Sequence, residues 1–281
     1  MENKILVESK LNWSVRTEPV TTESGILVKG YHAIIRNDND KPLSILSDGY
    51  YPYQNHDLVE LLERVSSKTK GDLVLHNGGY FGGGERVYIQ LKSKNLILDD
   101  DVVEGYVTGI NSFDGSTSLA FGPSNITISC MNSFFAAFRE MRTKVRHTKN
   151  MIDRVDEMVS VLEKATKEED KIFEQIKRMQ NVSFNTEQRE KVTKVILNIE
   201  PKLDLKDRSQ ISTRTYNNLK RLDLAMDREI GQKGSNLWGL FSGVTRYTTH
   251  DLKGDTQEKK MFGTYGRREL AIFNDLGLVV K

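Results

Sequence analysis

The sequence predicts an α+β fold: an antiparallel β-sheet built from hairpins, with one inserted helix, followed by a helical C-terminal half. Three observations carry that expectation. Apolar residues alternate in the first half, as in ILVKGYHAIIRN and ERVYIQLK. Clusters of Gly, Asn and Asp separate the alternating runs. From Met131 onward the apolar spacing changes to three and four residues. The expected division is a β-rich domain over 1–149 that ends in a basic helix, then a helical region over 150–281 packed on it.

Taken in order, ILVKGYHAIIRN and PLSILS flank Asn37-Asp38-Asn39-Asp40-Lys41, whose Asn and Asp tolerate left-handed backbone, so this is a hairpin. Asn55 is placed to cap a helix carrying Leu58, Leu61, Leu62 and Val65. DLVLHNGGYF and ERVYIQLK form a second hairpin around Gly82-Gly83-Gly84. The glycines do not make a phosphate loop, because a strand rather than a helix follows them. Asp99-Asp100-Asp101 is a solvated turn without the spacing of a calcium loop.

Tyr106 to Asn150 organises the reading. Strand YVTGI enters a polar turn, Asn111 to Ser116, with Asp114-Gly115 as its hairpin signal. STSLAF is the next strand; Gly122-Pro123 breaks it from a third, NITISC. Phe134, Phe135, Phe138 and Met141 then recur at helical spacing. That helix carries Arg139, Arg142, Lys144, Arg146 and Lys149 against one acid, Glu140. Arg139, Arg142 and Arg146 share one side of it.

Between 150 and 180, Val155, Met158, Leu162, Ala165, Ile172, Ile176 and Met179 step by three and four, the period of a coiled-coil seam about 45 Å long. Such a seam needs a later helix of the same chain or a second copy. Asn185 and Gln188 open a helix in a capping box, ended by Pro201. Another helix runs from Ser212 to Ile230 and stops at Gly231. Ser235 starts a third, with Leu237, Trp238, Phe241, Val244 and Thr245 as its apolar stripe. A last helix places Arg267 and Arg268 at its start, against its dipole unless something negative lies nearby.

Composition bounds the chemistry. Forty-one Lys and Arg against thirty-nine Asp and Glu leave a net charge of +2, so affinity for a polyanion must come from a local patch. The single cysteine, Cys130, excludes an internal disulfide and fits a reducing, cytoplasmic setting. No apolar run approaches the ~20 residues of a membrane span. The five histidines are scattered, without a metal-ligand spacing, and neither a GxSxG nor a Walker A motif occurs. No cofactor or metal is expected, and nothing points strongly to an enzyme.

Several segments occur together in this order: WSVRT from Trp13, GYYPYQNHDLVELL, the glycine hairpin, NSFDGSTSLAF, SCMNSFFAAF, VRHTKN and NLWGLFSGVTRYTTH. The series resembles the phage- and plasmid-associated domain-of-unknown-function family 932 over nearly the whole chain. Where that family often has a histidine before Asp-Gly-Ser, this chain has Phe113. The resemblance implies a mobile-element setting, with the protein in a host bacterial cytoplasm, and no defined activity. A hairpin sheet with a basic helix is also similar, at the level of fold, to Red-beta/RecT-type single-strand annealing proteins.

The expected function is therefore nucleic-acid binding, with annealing of single-stranded DNA in recombination as its specific form. Arg86, Arg139, Arg142, Lys144, Arg146, His147 and Lys149 are the candidate contacts, beside the turn motif Asn111, Asp114, Gly115 and Ser116. Tyr50, Tyr51, Tyr53, Tyr80, Phe81, Tyr88 and Phe113 are candidate stacking platforms. The alternative is a protein-binding module, such as a phage factor that counters a host defence. A homo-oligomer through the 150–180 helix and a host protein are the other partners considered.

Overall fold

The structure, a computed structural model, describes residues 4–68, 74–98, 102–127, 132–134, 144–149, 151, 170–252, 260 and 263–280. Its architecture is α+β. A short helix, α1 (Lys4–Glu8), precedes a three-stranded antiparallel meander of β1 (Val15–Thr21), β2 (Leu27–Arg36) and β3 (Pro42–Ser47). Helix α2 (Asn55–Lys68) follows. A six-stranded sheet comes next: β4 (Val74–Phe81), β5 (Arg86–Ile97), β6 (Val102–Ser112), β7 (Leu119–Thr127) and β8 (Asn132–Phe134) in sequential order, with β9 (Lys144–Val145) also on β7. The later helices are α3 (170–180), α4 (Thr186–Leu197), α5 (Thr213–Lys233), α6 (Leu237–Arg246) and α7 (Thr264–Val279).

The β2–β3 turn forms as its composition dictates: Asp40 adopts φ 57° and the Asn39 side chain accepts from the Lys41 amide at 3.0 Å. Asn55, by contrast, does not cap α2. Its Nδ2 donates to the Trp13 carbonyl at 3.0 Å and its buried Oδ1 accepts nothing among the described residues, so the side chain is used on β1's approach instead. Leu58, Leu61 and Leu62 are buried as the helical spacing predicts.

Two expectations fail between 119 and 149. Gly122-Pro123 does not separate two strands; β7 runs through both residues to Thr127. Proline offers no amide proton, so its consequence is felt at the strand's edge. β9 pairs with Leu119 and Ala120, and β8 pairs with Asn125 to Thr127, on either side of that point. The basic helix expected from Met131 is the second, and it fails at its described ends; residues 135–143 between them lie outside the described residues. Asn132–Phe134 and Lys144–Val145 are strands, and residues 146–149 form a bend and turn. β-pairing to β7 takes residues 132–134 and 144–145 despite the helical apolar spacing, because local period is a weak prior against tertiary contacts. Arg139, Arg142, Cys130 and Asp99 to Asp101 lie outside the described residues.

The chain forms two compact units, each assembled from three stretches, so neither has the limits of the 1–149 or 150–281 segments. The first comprises Met1–Lys94, Gly105–Pro123 and Glu140–Lys167; the second comprises Asn95–Glu104, Ser124–Arg139 and Glu168–Lys281. The first unit's core joins Trp13, Ile34 and Leu43 to Leu58 and Leu62 of α2 and to Val87, Ile89, Phe113 and Phe121.

The second unit's core centres on α6, which is buried from Leu237 to Thr245 rather than along one stripe. Asn236, not Ser235, caps it, accepting from the Gly239 amide at 2.8 Å. A Cβ at Gly243 would lie 2.4 Å from Met226 Cα, so only glycine permits the contact of α6 with α5. Helix α5 begins at its Ser212 cap but passes Gly231, ending at Gly234 with φ 89°. The Asn185–Gln188 capping box on α4 is complete. On α3, Phe173, Ile176 and Met179 are buried; the rest of the 150–180 seam, from 152 to 169, lies outside the described residues. Arg268 meets its expected negative partner, because its guanidinium donates to the Ile196 carbonyl at the C-terminal turn of α4 at 3.1 Å.

Candidate functional site

The turn after β6 is held by its own polar side chains. Asp114 accepts from the Ser116 amide at 2.9 Å, and Gly115 takes φ 70°, the left-handed backbone that Asp-Gly signals. Ser112 Oγ closes the turn's base, donating to the Thr117 carbonyl at 2.8 Å and accepting from the Thr117 amide at 3.1 Å. Asn111 is fully buried and donates to the Tyr53 carbonyl at 2.8 Å. It anchors the turn rather than facing solvent. Arg86 lies 3.8 Å from the other Asp114 oxygen, so it braces the same turn.

The segment after β9 reaches this turn from the opposite side. His147 is only 7% exposed, and it exchanges bonds with Tyr51: its Nδ1 lies 3.2 Å from the Tyr51 carbonyl, and the Tyr51 amide donates to the His147 carbonyl at 3.0 Å. A carbonyl only accepts, so Nδ1 carries the proton. The ring stacks on Tyr50 at 4.8 Å between centroids. Burial pushes His147 down to about 4, against the Tyr51 and Thr117 backbone, which favour the charged ring. Nε2 is buried and closes no hydrogen bond, so the Thr117 backbone acts on it without meeting bonding geometry. The Tyr50 hydroxyl donates to the Ser112 carbonyl, and burial, then the nearby Asp114 charge, push its ionisation upward.

These contacts enclose a cleft of about 530 Å³ lined by Ser47, Gly49, Tyr50, residues 115–118 and residues 146–148. No carboxylate lines it among the described residues. Its polar surface is hydroxyl and amide, with the exposed Arg146 as its cation. Tyr50 also lines a second, larger groove of about 960 Å³ formed by β1, β2 and residues 48–57. There Tyr31 and Tyr51 are exposed beside Lys29. Three acids also line that groove, and each has a partner: Glu18 with Arg16 at 2.7 Å, Asp48 with His32 at 3.3 Å and Asp57 with His56 at 3.8 Å. The third, Asp57, forms with His56 and Glu60 a surface cluster whose Glu60 is paired to Arg64 at 2.7 Å.

The structure therefore brings Gly115 and Ser116 together with Arg146, keeps Asn111 buried, and leaves Arg86 partly exposed outside the cleft lining. His147 is a buried clamp. Lys149 is exposed outside the cleft lining, and the Lys144 side chain lies outside what is described. Among the aromatic candidates Tyr51 and Tyr80 are exposed, whereas Tyr53, Phe81, Tyr88 and Phe113 belong to the interior. Lys29, Tyr31, Ser47, Thr117 and Ser118 escape sequence reasoning, because strand pairing and the Tyr51–His147 exchange bring them together without a local motif.

No described helix is long and apolar enough to cross a membrane. A family model described as a domain of unknown function (DUF932) matches residues 42–268, well over half of the chain. No curated protein and no solved structure matches.

Proposed function

The chain belongs to the DUF932 family, and on that premise we propose that it binds single-stranded nucleic acid through the cleft and groove that meet at Tyr50. One observation carries this reading: two segments thirty residues apart converge on a cleft whose described lining has hydroxyls and an exposed arginine and no carboxylate. Arginine and hydroxyl donors suit phosphate oxygens. The adjoining groove supplies what unpaired bases require, namely exposed rings at Tyr31 and Tyr51 with Lys29 beside them. In the mobile-element setting that the family resemblance implies, the activity is annealing of strands during recombination.

Titrating labelled oligo-dT against salt tests the reading. Arg146→Ala should flatten the log–log slope by about 0.7, the contribution of one phosphate on a single strand. Tyr51→Ala should weaken binding by about 1–3 kcal/mol at any salt. Parental slope and affinity in both variants would remove the cleft from consideration and favour the protein-binding alternative, with the exposed Ile26, Leu27 and Ile45 as its surface.

A further inference from the structure

Helix α5 of the second unit carries Arg214, Arg221 and Arg228, all exposed. Seven residues are two helical turns less about 20°, so the three lie in one row, about 10.5 Å apart along the axis. None has an ion pair among the described residues. The helix's own acids are committed elsewhere. Asp223 and Asp227 both pair with Arg189, at 3.2 and 2.7 Å, and the fully buried Glu229 pairs with Lys233 and Arg246, at 3.0 and 3.4 Å. No residue three or four positions from any of the arginines is acidic.

A second observation concerns the helix start. Arg214 stands in the first turn, which contains no acid, so its charge opposes the dipole without compensation. Lys220 and Arg208 lie over the Tyr216 ring, at 4.7 and 4.6 Å, and add cations at the same end. The buried Tyr247 hydroxyl has no hydrogen-bond partner among the described residues and feels Arg214 and Arg221 electrostatically.

We propose that the row Arg214–Arg221–Arg228 is a contact surface for the sugar–phosphate backbone of a nucleic acid. Guanidinium forks fit phosphate oxygens, and a straight row of about 21 Å suits a linear polyanion. Leu224 lies between Arg221 and Arg228 in the row and is 71% exposed, which gives a sugar or base an apolar contact. A lipid surface fits less well. A membrane-lying helix needs an apolar face for the lipid, and α5 has already turned Leu219, Leu222, Ala225 and Met226 into its unit's interior. The row stands on its own geometry and does not require the cleft at Tyr50.

The test is fluorescence anisotropy with a labelled 30-nucleotide oligo-dT, the corresponding 30-base-pair duplex, and phosphatidylserine vesicles. Replacing all three arginines by Gln should flatten the salt slope by about 2 if the row holds a single strand, or by about 2.7 if it holds a duplex, each read on that form. Replacing all three by Lys should keep the parental slope, which separates lost charge from lost structure. The proposal is overturned if the Gln variant, melting at the parental temperature, binds both nucleic acids with parental slope, or if the Lys variant loses as much slope as the Gln variant. Binding of the parent to vesicles alone also overturns it. Arg146→Ala run in parallel separates the two surfaces: loss there with none in the Gln variant sinks the row and leaves the cleft, and the converse sinks the cleft.

Discussion

Among the described residues, the buried polar side chains of the first unit are nearly all neutral: Ser9, Asn55, Gln90, Thr108, Asn111, Ser112 and the uncharged ring of His147, with Arg36 as the exception. The second unit instead encloses whole charges. Glu229 is held by Lys233 and Arg246, while Lys260 meets Glu269 at 3.1 Å and Thr249 Oγ1 at 2.8 Å. Thr248 donates to the same Glu269 oxygen, and Glu269 Oε2 has no partner among the described residues. A neutral side chain can be satisfied by one backbone carbonyl, so it can clamp a loop and shape a surface. A buried charge must be balanced by another charge, and losing one strands the other. The first arrangement suits a site; the second ties helices together around the π-helical turn at Tyr247–Asp251.

The sharpest way to break this contrast is at the charged pair. Lys260→Met should destabilise the protein by about 3–5 kcal/mol in urea unfolding, because Glu269 remains buried without its cation. Lys260→Met with Glu269→Leu should recover most of the loss. A single variant costing under about 1 kcal/mol would mean that water reaches Glu269, and the contrast between the units would disappear.

Acid response should differ in sign between the units. The folded His147 binds its proton near pH 4, whereas the unfolded ring does so near 6.5. Between those values the unfolded chain holds more protons, so this contribution to stability falls as pH is lowered from 6.5 to 4. Glu269 is shifted the other way: burial raises its carboxyl despite Lys260, so its contribution falls as pH rises through the folded value. His147→Gln should therefore lower the stability difference between pH 7 and pH 4.5 by about 2 kcal/mol. An unchanged difference would show that the ring is hydrated.

The smallest effect belongs to the turn. Gly115→Val should cost about 1–2 kcal/mol, since a β-branched residue at φ 70° is strained and its Cβ would lie 3.2 Å from Leu46. An unaltered unfolding midpoint would show that the turn relaxes, and with it the cleft wall.

What was legible in the sequence followed from local chemistry. The Asn39–Asp40 turn, the Asp114–Gly115 turn, the glycine hairpin between β4 and β5 and the Asn185 box each depend on residues within a few positions of one another. What failed depended on distant partners. Phe134 has helical neighbours in sequence, yet pairs with Asn125 as a strand. His147 reads as a cation among cations, but Tyr50 and Tyr51, almost a hundred residues earlier, take it into the interior. The cleft is half visible in the sequence: Gly115, Ser116 and Arg146 stand out by residue type and turn chemistry, while nothing near Lys29 or Tyr31 announces a groove that two strands and a loop create.

The two tryptophans, Trp13 in the first unit and Trp238 in the second, give the molecule a pair of separate optical reporters. Trp13 Nε1 donates to the Lys10 carbonyl at 3.1 Å, and the Arg36 guanidinium lies 4.0 Å from its ring. Trp238 has a buried Nε1 without a partner among the described residues, and Phe241 lies beside its ring at 6.1 Å. An excited indole emits at lower energy where charges and hydrogen bonds can respond to its enlarged dipole. The two rings should therefore fluoresce at different wavelengths, with Trp238 the bluer. A Trp13→Phe chain would light only the second unit and a Trp238→Phe chain only the first. One urea titration of each would then reveal whether the two units melt as one cooperative body or in succession.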